Sequence, residues 1–69
     1  MVGTNVRRLR LERGVTMEGL AWAAGASKSY LSRVEAGKNA PSLTMLRALA
    51  IELEVPPWQL LQPPPDAEP

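Results

Sequence analysis

The chain contains neither cysteine nor histidine. That double absence removes disulfide and zinc staples, the Ser-His-Asp triad, the Cys-His pair and zinc-bound water. Carboxylate or lysine chemistry remains, but seven acidic residues and two lysines in 69 residues give it little to build on. A chain of this size buries roughly 60% of its unfolded surface, enough for one core but not for a core with a deep catalytic cleft. One domain is expected, with no enzymatic activity, no metal, no cofactor and no small-molecule ligand. No apolar run approaches the ~18 residues of a membrane span. The opening MVGTNVRRLR lacks the apolar centre of a secretory signal, so a cytoplasmic location is the expectation. No segment alternates apolar and polar residues as a half-exposed strand does. The fold class that remains is all-α, held by tight helix packing or by oligomerisation rather than by staples.

Basic residues are missing from one end. Residues 51–69 carry four acids (Glu52, Glu54, Asp66, Glu68) and no lysine or arginine, a net −4. Residues 1–50 carry eight basic residues against three acids (Glu12, Glu18, Glu35), a net +5. The formal charge of +1 conceals this division. Such asymmetry fits an electrostatic footprint on one face and, on charge alone, fits chance segregation in a short chain equally well.

What is present is helical spacing. Val2, Val6 and Leu9 with Arg13 place a first helix at about residues 4–13, with Thr4 as its N-cap and Gly14 in the left-handed position that follows it. Thr16 caps a second helix, with Glu18 in the first turn, Leu20, Ala21 and Ala24 facing inward, and Gly25 as its end. Ser27 caps a third, which runs to Ala36 and stops at Gly37. Lys38 to Pro41 is a loop. Ser42 caps a fourth helix, with Leu43, Leu46, Leu49, Ala50 and Leu53 inward. Val55-Pro56-Pro57 interrupts it, and Pro57 opens a short fifth helix from Trp58 to Leu61. The domain is expected to end near residue 61. Residues 62–69, rich in proline and acidic, read as an extended or disordered tail.

The turn around Gly25-Ala26 is only a few residues long, which is the geometry of a helix-turn-helix at about residues 17–36. Around it lie Leu20-Ala21-x-x-Ala24-Gly25, Ser27-x-Ser29-Tyr30-Leu31-Ser32 and Val34-Glu35-x-Gly37-Lys38, followed by Pro41-Ser42-Leu43-x-x-Leu46 and Ala48-Leu49-Ala50. On these residues the chain resembles the phage repressor/Cro-type helix-turn-helix family (the XRE family) over about residues 5–61. The resemblance implies a compact four- to five-helix bundle that binds double-stranded DNA with its third helix in the major groove. It also implies a small transcriptional regulator, a repressor acting as a homodimer on a pseudo-palindromic operator.

A wheel drawn at about 100° per residue with Leu31 at 0° puts Val34 near 300° and Glu35 near 40°, toward the core. On the same wheel Ser32, Ser29 and Arg33 fall near 100°, 160° and 200°, and Lys28 sits at the N-terminal edge. Lys28, Ser29, Ser32 and Arg33 are thus the candidate base contacts: the small serines let the helix backbone approach the groove floor, and all four side chains can donate to base edges. The inward Glu35 needs a partner, and the resemblance implies Arg10, which would also reach a phosphate. It further implies phosphate contacts at Thr16 and Met17, at Lys38 and Asn39, and at Ser42 and Leu43, with the Tyr30 hydroxyl a further candidate. Met17 departs from the family's usual glutamine, and Gly19 from its usual helix former. Trp22 falls on the polar side of the second helix. Trp58, Leu60 and Leu61 are expected to divide between the core and a dimer interface. A second reading keeps the fold but makes it an antitoxin-like or partner-binding protein-interaction module using Trp22, Trp58 and the Pro-rich tail.

Overall fold

Three of the helices begin by the same chemistry. Thr16, Ser27 and Ser42 each adopt extended backbone, and each side-chain oxygen accepts a hydrogen bond from the N–H three residues on, at Gly19, Tyr30 and Met45. Each cap satisfies a donor that the helix itself leaves without an acceptor. In the computed structural model, which describes residues 2–63, the elements are α1 (Val2–Glu12), α2 (Met17–Ala24), α3 (Lys28–Glu35), α4 (Leu43–Leu53) and a 3-10 turn (Pro57–Leu61). The expected tail lies outside the described residues from position 64 onward.

Helix ends are equally local. Gly25 ends α2 in the left-handed region (φ 77), and Ala26 N–H then donates to the Ala21 carbonyl at 2.8 Å. This folds the chain back within three residues, so α3 starts beside α2. At the end of α4 the same conformation is taken by Glu54 (φ 60), which carries a side chain and is strained by roughly 1–2 kcal/mol. Its N–H and that of Val55 close the helix on the Ile51 and Ala50 carbonyls. Pro56 and Pro57 then exclude any return to α-helix.

The core is assembled from every element: Val6 and Leu9 of α1, Leu20 and Ala21 of α2, Leu31 of α3, Leu46, Leu49, Ala50 and Leu53 of α4, and Leu60 of the 3-10 turn. Val34 of α3 is buried as well. Val2, Val15, Met17, Ala24, Met45 and Val55 close its edges.

Four sequence expectations are corrected by this packing. Helix α1 begins at Val2, so Thr4 lies inside it and is not a cap. Leu43, expected inward, is the first residue of α4 and is 67% exposed, because the buried stripe of that helix starts one turn later at Leu46. Ala36 caps α3 rather than belonging to it. The fifth helix is a single 3-10 stretch.

Two features were not anticipated. Gly3 is buried where α1 lies against the end of α3: a Cβ there would overlap the Val34 carbonyl oxygen and stand 2.9 Å from that of Glu35. Asn5 is wholly buried, and its Nδ2 donates to the Leu60 carbonyl at 2.9 Å and the Gln62 carbonyl at 2.6 Å. One amide thus ties the end of the folded chain to the first helix. Replacing it strands the buried Leu60 carbonyl, at a cost of about 1–3 kcal/mol, and gives up the net ~0.5–1.5 kcal/mol of the bond to Gln62, an exposed residue whose carbonyl water can reach. Asn5→Ala should lower stability by about 2–4 kcal/mol in urea unfolding. A loss below about 0.5 kcal/mol would show that the tie contributes little.

Candidate nucleic-acid interface

Burial sorts α3 into two faces. Leu31 and Val34 are buried, whereas Lys28, Ser29, Ser32 and Arg33 are exposed. The exposed side is polar, short and basic. Arginine and lysine donate to guanine O6 and N7, and serine bonds several base edges or a phosphate. Lys28, Ser29 and Ser32 spend no side-chain hydrogen bond on the rest of the described chain, so their donors and acceptors face outward unengaged.

Behind this helix lies an ion pair. Arg10 Nε donates to Glu35 Oε2 at 2.8 Å and Arg10 Nη2 to Glu35 Oε1 at 3.2 Å, a two-pronged match of guanidinium to carboxylate. The Arg10 side chain is 10% exposed and that of Glu35 4%. Arg10 Nη1 donates to the Val15 carbonyl at 3.0 Å. One guanidinium therefore links three segments: α1, the loop entering α2, and the end of α3. With its donors turned inward, Arg10 has little surface for the phosphate expected of it, and its place is that of an internal brace.

The chain after α3 folds back on it. Gly37 takes the left-handed conformation (φ 77), after which the N–H groups of Lys38 and Asn39 both point at the Arg33 carbonyl, at 2.9 and 3.4 Å. An amide's oxygen and nitrogen are told apart by their neighbours. In the orientation that gives each a partner, Asn39 Oδ1 accepts from Arg33 Nε at 3.1 Å and Nδ2 donates to the Lys38 carbonyl at 2.9 Å. Spacing along α3 gave no sign of this contact, which arises only when the loop turns back.

The other candidates are distributed as follows. Lys38 is exposed, as are Thr16 and Ser42, whose side-chain oxygens are engaged as caps. Met17 packs its side chain against the core, leaving its backbone N–H at the start of α2 as its only polar offering. Leu43 is exposed at the corresponding start of α4, and Tyr30 is half-buried. Trp22 is 85% exposed. Trp58 and Leu61 are 59% and 50% exposed, but Leu60, named with them for a dimer interface, is wholly buried and fills the core. Ile51 on α4, absent from the sequence reading, is 71% exposed. No described helix is long and apolar enough to cross a membrane.

Two short helices joined by a tight left-handed turn, the second with a polar basic face outward and its back braced by the remaining helices, define a helix-turn-helix domain. A family described as "Helix-turn-helix domain" matches residues 2–60, and the chain belongs to it; its relatives are XRE-type transcriptional regulators. The chain is 40% identical over 63 residues to an uncharacterized HTH-type transcriptional regulator, y4dJ, of Sinorhizobium fredii, covering 91% of this chain and 82% of that protein. It is 34% identical over 68 residues to the HTH-type transcriptional regulator SutR of Escherichia coli, covering 99% of this chain but 38% of that one. It therefore spans well under half of some curated relatives. Among solved structures, SinR, a master regulator for biofilm formation, in complex with DNA superposes with a TM-score of 0.85 at 35% identity, covering 90% of this chain and all of that one. The restriction-modification controller protein C.AhdI of Aeromonas hydrophila gives 0.82 at 36% identity, covering 86% and 89%.

The brace is testable on its own. Removing one member of a buried pair leaves a charge uncompensated and costs about 3–5 kcal/mol. Arg10→Ala should therefore leave the domain largely unfolded near 37 °C in thermal denaturation. Arg10→Met combined with Glu35→Leu should recover a large part of that loss. Equal stability of Arg10→Ala and the unaltered chain would rule the brace out.

Proposed function

We propose that the protein is a cytoplasmic, non-enzymatic transcriptional regulator that binds double-stranded DNA sequence-specifically. In this reading it is a repressor acting as a homodimer on a pseudo-palindromic operator. The observation that carries the reading is the outward face of α3, where Lys28, Ser29, Ser32 and Arg33 are exposed on a helix whose other side is locked into the core. Likeness to SinR, whose structure has been solved with DNA, supports it.

Phosphates would be held around that helix. The first N–H groups of α2 and α4 precede any intrahelical acceptor and lie at the positive end of the helix dipole. Thr16 and Met17 stand at one of these ends, Ser42 and Leu43 at the other, with Lys38 in the loop between α3 and α4 and Tyr30 beside the core. The +5 balance of residues 1–50 serves the same attraction.

Dimerisation would use the 3-10 turn, which packs against α1 and α4. Trp58 and Leu61 are three apart on a 3-10 turn, so their side chains share one face. They expose apolar surface in the acidic stretch that follows residue 50, and an isologous contact there is required to set two α3 helices one DNA turn apart, about 34 Å.

Selection of bound duplexes from a random pool should return a two-fold symmetric site. On that site log affinity should fall with log salt at a slope of about −0.9 per phosphate contacted. Arg33→Ala should relax preference at one base pair per half-site by about 1–3 kcal/mol, whereas Lys38→Ala should weaken all duplexes alike and flatten the salt slope by about one. Absence of duplex binding, or a response indifferent to salt, would overturn the proposal and favour a partner-binding role for Trp22. Leu61→Glu should shift sedimentation from dimer to monomer; an unchanged dimer would move the interface elsewhere.

A further inference from the structure

We infer that Asn39 is a positioning residue for base recognition, one that acts through Arg33 rather than through a phosphate. The inference rests on the duplex-binding reading above and names a specificity device within it.

The geometry is specific. Asn39 reaches Arg33 because Gly37 reverses the chain and because the Lys38 and Asn39 N–H groups close on the Arg33 carbonyl. The loop is thereby registered on the very residue whose side chain it contacts. The Asn39 amide is itself held, by donation to the Lys38 carbonyl at 2.9 Å, so it presents a fixed oxygen to Arg33 Nε at 3.1 Å. Arginine has five N–H donors. With Nε–H taken by Asn39, the four on Nη1 and Nη2 remain, and they project from the end of the side chain. That is the edge able to address guanine O6 and N7 together, so the expected target is a guanine met end-on.

The benefit is entropic. A free arginine on a helix surface samples many rotamers, all but one of which must be given up on binding. An arginine already tethered at Nε has surrendered part of that freedom before DNA arrives. Ser29, Ser32 and Lys28 have no such tether, so discrimination should be concentrated at Arg33. Asn39 is half-buried, which also makes it a poor direct phosphate ligand beside the exposed Lys38.

The test is a double-mutant cycle on the selected duplex and on its single-base variants. Asn39→Ala should weaken binding to the preferred duplex by about three- to tenfold. It should lower discrimination by a similar factor at the one base pair where Arg33→Ala loses it, and leave the salt slope unchanged. In the Arg33→Ala background Asn39→Ala should add nothing. Asn39→Asp, which keeps the acceptor, should retain that discrimination even if its charge weakens all duplexes. A uniform loss on all duplexes with a shallower salt slope, or a further loss in the Arg33→Ala background, would make Asn39 a phosphate contact and overturn the inference. Nuclear magnetic resonance of the free protein supplies a reading that needs no DNA. Arg33 Nε–H should exchange slowly in the unaltered chain and rapidly in Asn39→Ala with the backbone spectrum otherwise retained. Fast exchange in both would overturn the tether; slow exchange without any duplex binding would instead count against the DNA-binding reading.

Discussion

The domain depends on a charge pair that it has no obvious need to bury. Arg10 and Glu35 are brought together from 25 residues apart, one on α1 and the other at the end of α3, and neither is free to leave water cheaply. The cost is met by completeness. Both guanidinium prongs find carboxylate oxygens, and a third donor finds the Val15 carbonyl just ahead of α2. The result is a joint at which α1, the start of α2 and the end of α3 have one admissible arrangement. Apolar packing alone would hold these helices together but tolerate small rotations among them. A forked ion pair tolerates far less, and any rotation of α3 about its axis would change which side chains face outward.

Around that joint, the chain closes by two further contacts of similar logic. Gly3 lets the α1 backbone touch the carbonyls that end α3, and Asn5 ties α1 to the segment after the 3-10 turn. Helix α1 is thus an internal scaffold onto which both the motif and the C-terminal turn are fastened. The helix-turn-helix itself, α2 and α3, carries capping and a share of the core. Its orientation comes from outside the motif.

How much of this was legible in the sequence depended on the range of the interaction. Caps at Thr16, Ser27 and Ser42 were readable because a hydroxyl and an N–H three residues away settle the matter locally. The inner faces of α3 and α4 were readable from period, because Leu31, Val34, Leu46, Leu49 and Leu53 recur at helical spacing. Errors fell where an end effect or a partner decides. Thr4 had the chemistry of a cap, but Val2 and Gly3 had packing partners that carried the helix past it. Leu43 had the right period and the wrong turn. Trp58, Leu60 and Leu61 were expected to divide between core and dimer interface, but nothing along the chain said that Leu60 is the one that fills the core. Asn5 and Asn39 were silent, since nothing in their neighbours along the chain names the carbonyls or the guanidinium they meet. The Arg10–Glu35 pair came from resemblance rather than from spacing, which suggested only that Glu35 faced inward.

The exposed side of α3 bears one more consequence. Lys28, Ser29 and Ser32 support no cap, fill no cavity and brace no neighbour. Their replacement should change the folding free energy by no more than about 0.5 kcal/mol, and on the proposed duplex-binding reading it would alter what the helix face recognises. Selection can therefore act on recognition at these positions without first passing through an unstable intermediate. If the proposed reading holds, a lineage of such domains can diverge in the sites they prefer while sharing one body, because the residues that hold the shape are not the ones proposed to meet the DNA.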